Sequence, residues 1–456
     1  MEKMGKIGVI GGGIEGIETI QYLSAHGFPD ITLFDQDSNL KVDLPPGVKK
    51  VFGPDYLKQA ESCDTVFRSP GISLQKLANL RDKGVTITSA TRYFFEHCPC
   101  KIIGVSGTKG KGTTSTLIYL MLKEAGKDVY LGGNIGEPPL VFLDKLKSDS
   151  YVVLELSSFQ LQDLGQSPNV AVLLGVTSDH LDYHQDTDEY REAKASMVRY
   201  QKPEDLAVFN KDYEASEFYA GLTKARKIFV SAVQDLADGV HLSGPMIVNC
   251  AGSKCELISN VKKVALLGKH NLENVLPAVA VARHFGVKVQ QIQNVISSFK
   301  GLPHRLEFAG EVNGVKFYDD SISTTPETSV AAVQAFEQPV ILLAGGSDKG
   351  SDYTEWGLQL QQVNFLKAVV LVGHMATRME QALVNGSKLL ESRGVKRHYP
   401  LEILPCHTFE EAVYTAFKKA NPGEVVVLSP AAASFDLFKN YKERGDTFSK
   451  IVSELL

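Results

Sequence analysis

Lys101–Ala125 reads KIIGVSGTKGKGTTSTLIYLMLKEA, and its pattern decides the fold. A short apolar run of β type, Ile102 to Val105, breaks into the glycine-rich turn Gly107-Thr108-Lys109-Gly110-Lys111-Gly112. An apolar helix is expected from near Thr113 to just before Gly126. Strand, glycine loop, lysine and helix N-terminus together make an anion cradle. Backbone N–H groups and the positive end of the helix dipole face a phosphate, and Lys111 adds a full charge. Gly107, Thr108, Lys109, Gly110, Lys111, Gly112 and Thr113 are therefore candidate nucleotide ligands. The strict phosphate-loop pattern wants glycine five residues before Gly110 and Ser or Thr directly after Lys111. Val105 and Gly112 stand there instead, so the loop is a variant.

The chain on either side of this stretch repeats the strand–turn–helix alternation of an α/β protein. At 456 residues it has room for roughly three domains. A net charge of −5 gives no general reason to expect nucleic acid or an anionic membrane as partner, so bound anions must be held locally. No run approaches the length of a membrane span and no signal segment is evident, which points to the cytoplasm. The six cysteines, Cys63, Cys98, Cys100, Cys250, Cys255 and Cys406, are expected to be reduced thiols. Cys98 and Cys100 lack the two-residue spacing of a zinc or redox pair.

N-terminal to the loop, strand KIGVI (6–10) runs into Gly11-Gly12-Gly13-Ile-Glu-Gly16 and a helix from Ile17 to His26. Gly11, Gly13 and Gly16 satisfy G-x-G-x-x-G, and a second strand ends at Asp35. This predicts a Rossmann-like βαβ unit for a nucleotide diphosphate, although glycine turns also serve plain strand–helix packing. Ser69 and Gly71 lie in a turn after strand Thr65-Val-Phe67, at the strand end where open α/β sheets bind ligands.

C-terminal to the loop, Asn134 follows a short strand, Glu155 ends the buried strand YVVLEL (151–156), and Asp179-His180 follows strand Val170–Val176. A carboxylate at the end of a strand beside a phosphate loop is a magnesium partner in phosphoryl-transfer enzymes. The plainer reading makes Glu155 a cap for the Ser157–Ser158 turn. In the helix TDEYREAKASMVRY (187–200), Tyr190, Lys194 and Met197 share one face, so Lys194 stands on a partly apolar row, as a snorkelling lysine also would. Further on, strand ends carry Asp319-Asp320, Asp348-Lys349 and Ser434-Phe435, a further ligand-binding rim.

Together these stretches resemble the Mur ligase family, in its glutamate-adding branch. GTKGKGTT (107–114), GGNIG (132–136), ELSSFQL (155–161), SDHLDYH (178–184), GKHNLEN (268–274), GLPHRLE (301–307), DDS (319–321), AGGSDKG (344–350) and SPAAASFDLFKNYKERG (429–445) carry the resemblance over nearly the full chain. It implies three α/β domains: a Rossmann-like domain at 1–97 for a UDP substrate, a central P-loop-type ATPase domain with a mainly parallel sheet at 98–301, and a Rossmann-like domain at 302–456 that binds glutamate and closes on ATP. The implied activity is ATP-dependent amide formation between UDP-N-acetylmuramoyl-L-alanine and glutamate, through an acyl phosphate and a tetrahedral intermediate.

By the same resemblance Lys111 and the loop hold ATP phosphates, with Asn271, Arg305 and Asp320 as further ATP ligands. Glu155, His180, Thr113 and Lys194 serve magnesium, two ions in all, with Lys194 carbamylated. Gly11, Gly13, Gly16, Asp35, Ser69, Gly71, Asn134 and His180 face the UDP substrate, and Thr324, Lys349, Ser434, Phe435 and Tyr441 surround glutamate. Lys111, Lys194, His180 and Glu155 form the implied catalytic set, in a monomer with small-molecule partners. Three places depart from the family: Lys109 replaces an asparagine, Gly112 a hydroxyl, and Ile322 the lysine of a common Asp-Ser-Lys run. The last leaves D- or L-glutamate open. An NAD-dependent oxidoreductase, suggested by Gly11–Gly16 with Asp35, leaves the 107–114 loop and Glu155 without a purpose. A non-enzymatic ATP-binding regulator and a ligase for another amino acid are the remaining alternatives; ELSSFQL and 429–445 speak against the last.

Overall fold

The computed structural model describes residues 4–455 apart from 177–186, 267, 269, 349, 396, 398 and 399. Three sheets rich in parallel pairs carry the described chain. In the first, Lys49–Phe52, Ile31–Asp35, Ile7–Ile10, Thr65–Arg68 and Thr86–Thr88 lie side by side in that order, all parallel. The helix Ile14–Ala25 starts three residues before the expected Ile17, because Gly13 is already the extended residue at its N-terminal boundary.

The second sheet has nine strands, and Lys101–Ser106 is an interior one between Tyr151–Glu155 and Val170–Leu173. Its near-continuous apolar sequence suits burial on both faces, as parallel strands covered by helices require. Beyond Leu206–Asn210 and Arg226–Ser231 the sheet ends in Asp238–Ser243, Met246–Ala251 and Lys254–Asn260, each of the last two antiparallel to the strand before it and the final pair forming a hairpin. Within that hairpin Cys250 and Cys255 stand directly opposite and are joined as a disulfide, which corrects the expectation of six free thiols. Five residues of separation in sequence concealed a tight turn that sets the two side chains facing each other. The third sheet runs Glu307–Val312, Val315–Asp319, Val425–Leu428, Val340–Gly345, Leu366–Val372, Glu402–Pro405, antiparallel only at its first pair.

The chain forms two compact units. Met1–Lys263 with His270–Ser297 holds the first two sheets, and Val264–Lys269 with Ser298–Leu456 holds the third. In the first unit one apolar cluster is shared by both sheets: Phe94, on the helix Ala90–His97, meets Phe142 edge to face with ring centroids 5.7 Å apart. The second unit has its own clusters on the two faces of its sheet. Among the described residues no helix is long and apolar enough to cross a membrane.

Candidate active site

The helix after the glycine turn spans Lys111–Glu124 and so begins two residues before the expected Thr113. Gly110 caps it in the left-handed region, φ +83°, and a Cβ there would lie 2.0 Å from Asn274 Oδ1. Only glycine satisfies both demands. Asn274 belongs to the helix His270–His284; its Nδ2 donates to Asn271 Oδ1 at 2.9 Å, and its carbonyl accepts from Thr114 Oγ1 at 3.2 Å. The start of that helix is thereby fixed against the loop, with Asn271 beside it. Lys111 Nζ lies over the turn, donating to the carbonyls of Gly107 (3.1 Å) and Thr108 (3.0 Å). Lys109 is exposed, Gly112 half-buried and Thr113 only 2% exposed.

Beside the loop, Glu155 ends its strand in register with Val105 on one side and Gly133 on the other. Its Oε1 accepts from Asn134 Nδ2 at 2.8 Å, and its carbonyl accepts from the Asn134 N–H. The turn after it is capped by Ser157 with Gln160, not by Glu155, so the plainer reading of this carboxylate falls away. On the helix Thr187–Ala195, Tyr190 and Lys194 are 2% and 1% exposed. A snorkelling lysine would reach water; this one does not. Lys194 Nζ donates to Gly107 O at 3.2 Å and lies 3.4 Å from Ser106 Oγ, with the Tyr190 ring 4.6 Å away. Tyr190 OH in turn meets Thr108 Oγ1 at 3.1 Å. Lys111, Lys194, Glu155 and Asn134 therefore gather at the carboxyl ends of adjacent strands. His180 and its neighbours Asp179 and Asp182 lie outside the described residues.

In the first sheet the glycine turn is held by its own surroundings. Asp35 Oδ2 accepts from Gly12 N at 2.7 Å, and Ser69 Oγ donates to Gly11 O at 3.3 Å. A Cβ on Gly16 would lie 1.9 Å from that same carbonyl. Gly13 and Gly71 are exposed. Glu15, in the first turn of the helix, has an Oε1 buried without a partner, and its Oε2 is 3.5 Å from Gln160 Nε2. Burial pushes its carboxyl up to about 7, against the opposing pull of Gln160 and the Arg68 charge.

Arg68, which closes the strand Thr65–Arg68, is a further buried residue of this region. Its guanidinium is fully buried, pairs with both oxygens of Asp163 at 3.0 and 2.7 Å, and donates to the carbonyls of Pro70, Ile72 and Phe159. An arginine closing the apolar run Thr65-Val-Phe was the available signal.

In the second unit, Asp319 and Leu428 are in register, so the Asp320–Thr324 and Ser429–Phe435 turns leave neighbouring strand ends. Asp320 is 2% exposed; it accepts from Leu306 N (3.2 Å) and Ser429 Oγ (2.7 Å), and burial lifts its carboxyl to about 7. Arg305 is exposed nearby. Buried Arg444 ties the two turns together through Ser321 Oγ and O and the carbonyls of Ala432 and Ala433. Ser321 Oγ donates to Tyr441 O at 2.7 Å. Ser434 is buried, Thr324 and Tyr441 half-buried, and Phe435 70% exposed. Lys349 lies outside the described residues.

Comparison with known proteins places this arrangement. Residues 105–282 match the Mur ligase middle domain, and 304–432 the Mur ligase glutamate ligase domain. The UDP-N-acetylmuramoylalanine--D-glutamate ligase of Acetivibrio thermocellus is 39% identical over 99% of this chain and 96% of its own length. The chain belongs to the Mur ligase family. The enzyme of the same name from Ruminiclostridium cellulolyticum is 36% identical over 99% of the chain and 97% of its length. Among solved structures, UDP-N-acetylmuramate-alanine ligase MurC from Thermotoga maritima aligns over 98% of this chain and 99% of its own with a TM-score of 0.61 at 16% identity. MurF ligase from the same organism, in complex with ADP, aligns over 99% and 96% with 0.58 at 19%. At such identities these two speak for the fold alone. In this chain Gly112, directly after Lys111, offers no hydroxyl, and Thr113, one residue on, is turned by about 100° around the helix.

Proposed function

We propose that this chain is an ATP-dependent ligase that joins the carboxylate of UDP-N-acetylmuramoyl-L-alanine to the amine of D-glutamate, a step in peptidoglycan precursor synthesis. The observation that carries the reading is the gathering of Lys111, Lys194, Glu155 and Asn134 at neighbouring strand ends, in a chain matching D-glutamate ligases from end to end. A carboxylate is a poor electrophile, so the γ-phosphoryl group of ATP passes to it first, giving an acyl phosphate and ADP. The glutamate amine then attacks the acyl carbon, and the tetrahedral intermediate expels phosphate while the amine proton leaves to solvent or base. Negative charge on oxygen dominates both steps, so fixed cations and helix N-termini supply most of the stabilisation.

We assign residues 1–97 to a Rossmann-like domain for the UDP substrate, 98–301 to a P-loop-type ATPase domain and 302–456 to a Rossmann-like domain for glutamate. Gly107–Thr113, Asn271, Arg305 and Asp320 are assigned to ATP. Gly11, Gly13, Gly16, Asp35, Ser69, Gly71, Asn134 and His180 are assigned to the UDP substrate, and Thr324, Lys349, Ser434, Phe435 and Tyr441 to glutamate. Glu155, Thr113, His180 and Lys194 would hold two magnesium ions, which when bound neutralise phosphate charge. The surroundings of Lys194 fit such a role once its amine has taken up CO₂. Two ammonium groups share the Gly107 carbonyl, and a carbamate on Lys194 replaces one of those cations with anionic oxygens. A cytoplasmic monomer acting on small molecules completes the proposal.

Purified protein given ATP, magnesium, UDP-N-acetylmuramoyl-L-alanine and either enantiomer of glutamate tests it. D-Glutamate is expected to yield one ADP, one phosphate and one UDP-dipeptide per turnover. Turnover with L-glutamate alone shifts the assignment to an L-glutamate ligase, and ATP hydrolysis independent of both substrates removes the ligase reading.

A further inference from the structure

The segment that links the helix Ala90–His97 to the strand Lys101–Ser106 is Cys98-Pro99-Cys100. Cys98 stops the helix: its N–H donates to Phe94 O at 2.8 Å, and its backbone is already extended, φ −67° and ψ 121°. In an extended run, side chains two residues apart share a face, and the proline between them fixes one of the intervening torsions. The two sulfurs consequently stand 3.6 Å apart, both half-buried, with one side against the core of the first unit. A disulfide needs about 2.05 Å, so closure asks for side-chain rotation within an arrangement that already pairs the sulfurs.

We propose that Cys98 and Cys100 are a reversible thiol–disulfide exchange site for small-molecule disulfides. The Cys98 thiolate attacks one sulfur of R–S–S–R, forming Cys98–S–S–R and releasing RS⁻, which takes up the proton Cys98 gave up. Cys100, deprotonated in turn, attacks the Cys98 sulfur and expels the second RS⁻. Two thiols are oxidised and one small disulfide is reduced to two thiols. Either sulfur can donate across the contact; with Cys100 as the donor a thiolate on Cys98 is stabilised and its thiol held below the usual range, while the same contact, burial and nearby Asp128 push Cys100 up. A loop closed around one residue removes little entropy from the unfolded chain. The bond is therefore a reversible mark and not a staple.

The experiment uses the full chain equilibrated with mixtures of reduced and oxidised glutathione, acid-quenched, alkylated and mapped by mass. The wild-type peptide holding both cysteines is expected to lose two hydrogens and regain them when reduced glutathione is added. Cys100→Ser is expected to trap one glutathione at Cys98, formed several-fold faster than at half-buried Cys406, whose thiol burial pushes up. Cys98→Ser is expected to trap none above the Cys406 level. Full alkylation of both wild-type thiols under oxidising mixtures overturns the proposal. So does a Cys100→Ser chain whose Cys98 reacts no faster than Cys406.

Discussion

Lys111 and Lys194 approach one carbonyl, that of Gly107, from 3.1 and 3.2 Å. One of the two, Lys194, is 1% exposed, where a change in the charge of its amine is strongly felt. Lys194→Ala is expected to lose essentially all turnover and to recover part of it with added acetate, whereas Lys194→Arg recovers none; steady-state ADP release measures both. Undiminished turnover in Lys194→Ala would return this residue to simple packing. Glu15 gives a pH prediction. Its folded carboxyl stands at about 7, above the ordinary value of 4.5, so the folded state holds the proton more tightly. Its contribution is present below about pH 4.5 and is lost as pH rises towards 7. Glu15→Gln, neutral at every pH, is expected to melt above the wild type at pH 8 and to converge with it at pH 4 to 5. Parallel melting curves for the two across that range would show that Glu15 is not held protonated.

At the scale of elements, the end of the strand Thr65–Arg68 in the first sheet and the segment just after the Ser158–Leu161 helix of the second are coupled by one ion pair. Arg68 has 0% of its side chain exposed and Asp163 12%, so neither charge can fall back on water when the other is removed. Asp163→Asn is expected to cost about 3–5 kcal/mol of stability, because it strands a buried guanidinium. Arg68→Met combined with Asp163→Leu is expected to cost much less than the two single changes summed, as urea unfolding can measure. A loss below about 1 kcal/mol for Asp163→Asn would mean that the pair behaves as a surface bridge. The same scale explains a misplaced boundary. The helix after the phosphate loop starts at Lys111 and not Thr113, with Gly110, where Asn274 leaves no room for a Cβ, as its left-handed cap two residues earlier than expected. Nothing local to 107–113 announces Asn274, 164 positions beyond Gly110.

For the whole molecule, the competing ligand classes separate by binding. A ligand at 100 times its Kd stabilises the folded state by about 2.7 kcal/mol, a rise in Tm of about 4–5 °C for a unit the size of the first. UDP-N-acetylmuramoyl-L-alanine is expected to give such a rise and NADH none; the reverse would favour the oxidoreductase reading of Gly11–Gly16. The sequence by itself determined the α/β class, the order of strands and glycine turns, and the family. Apolar runs ending in glycine, hydroxyl or charged residues are local patterns that chain geometry translates directly. It also placed Lys194 on a partly apolar row, since helical periodicity fixes which side chains share a face, but only the folded chain shows that its amine does not reach water. The tertiary structure alone decided that the first two sheets share a core, that Arg68 is a buried counter-charge to Asp163, and that Cys250 faces Cys255 across a hairpin. It also decided that Glu155 answers to Asn134 and not to its own following turn. Each of these is a pairing, often between residues far apart in sequence. The energy of a pairing depends on separation and burial, which only the folded chain sets.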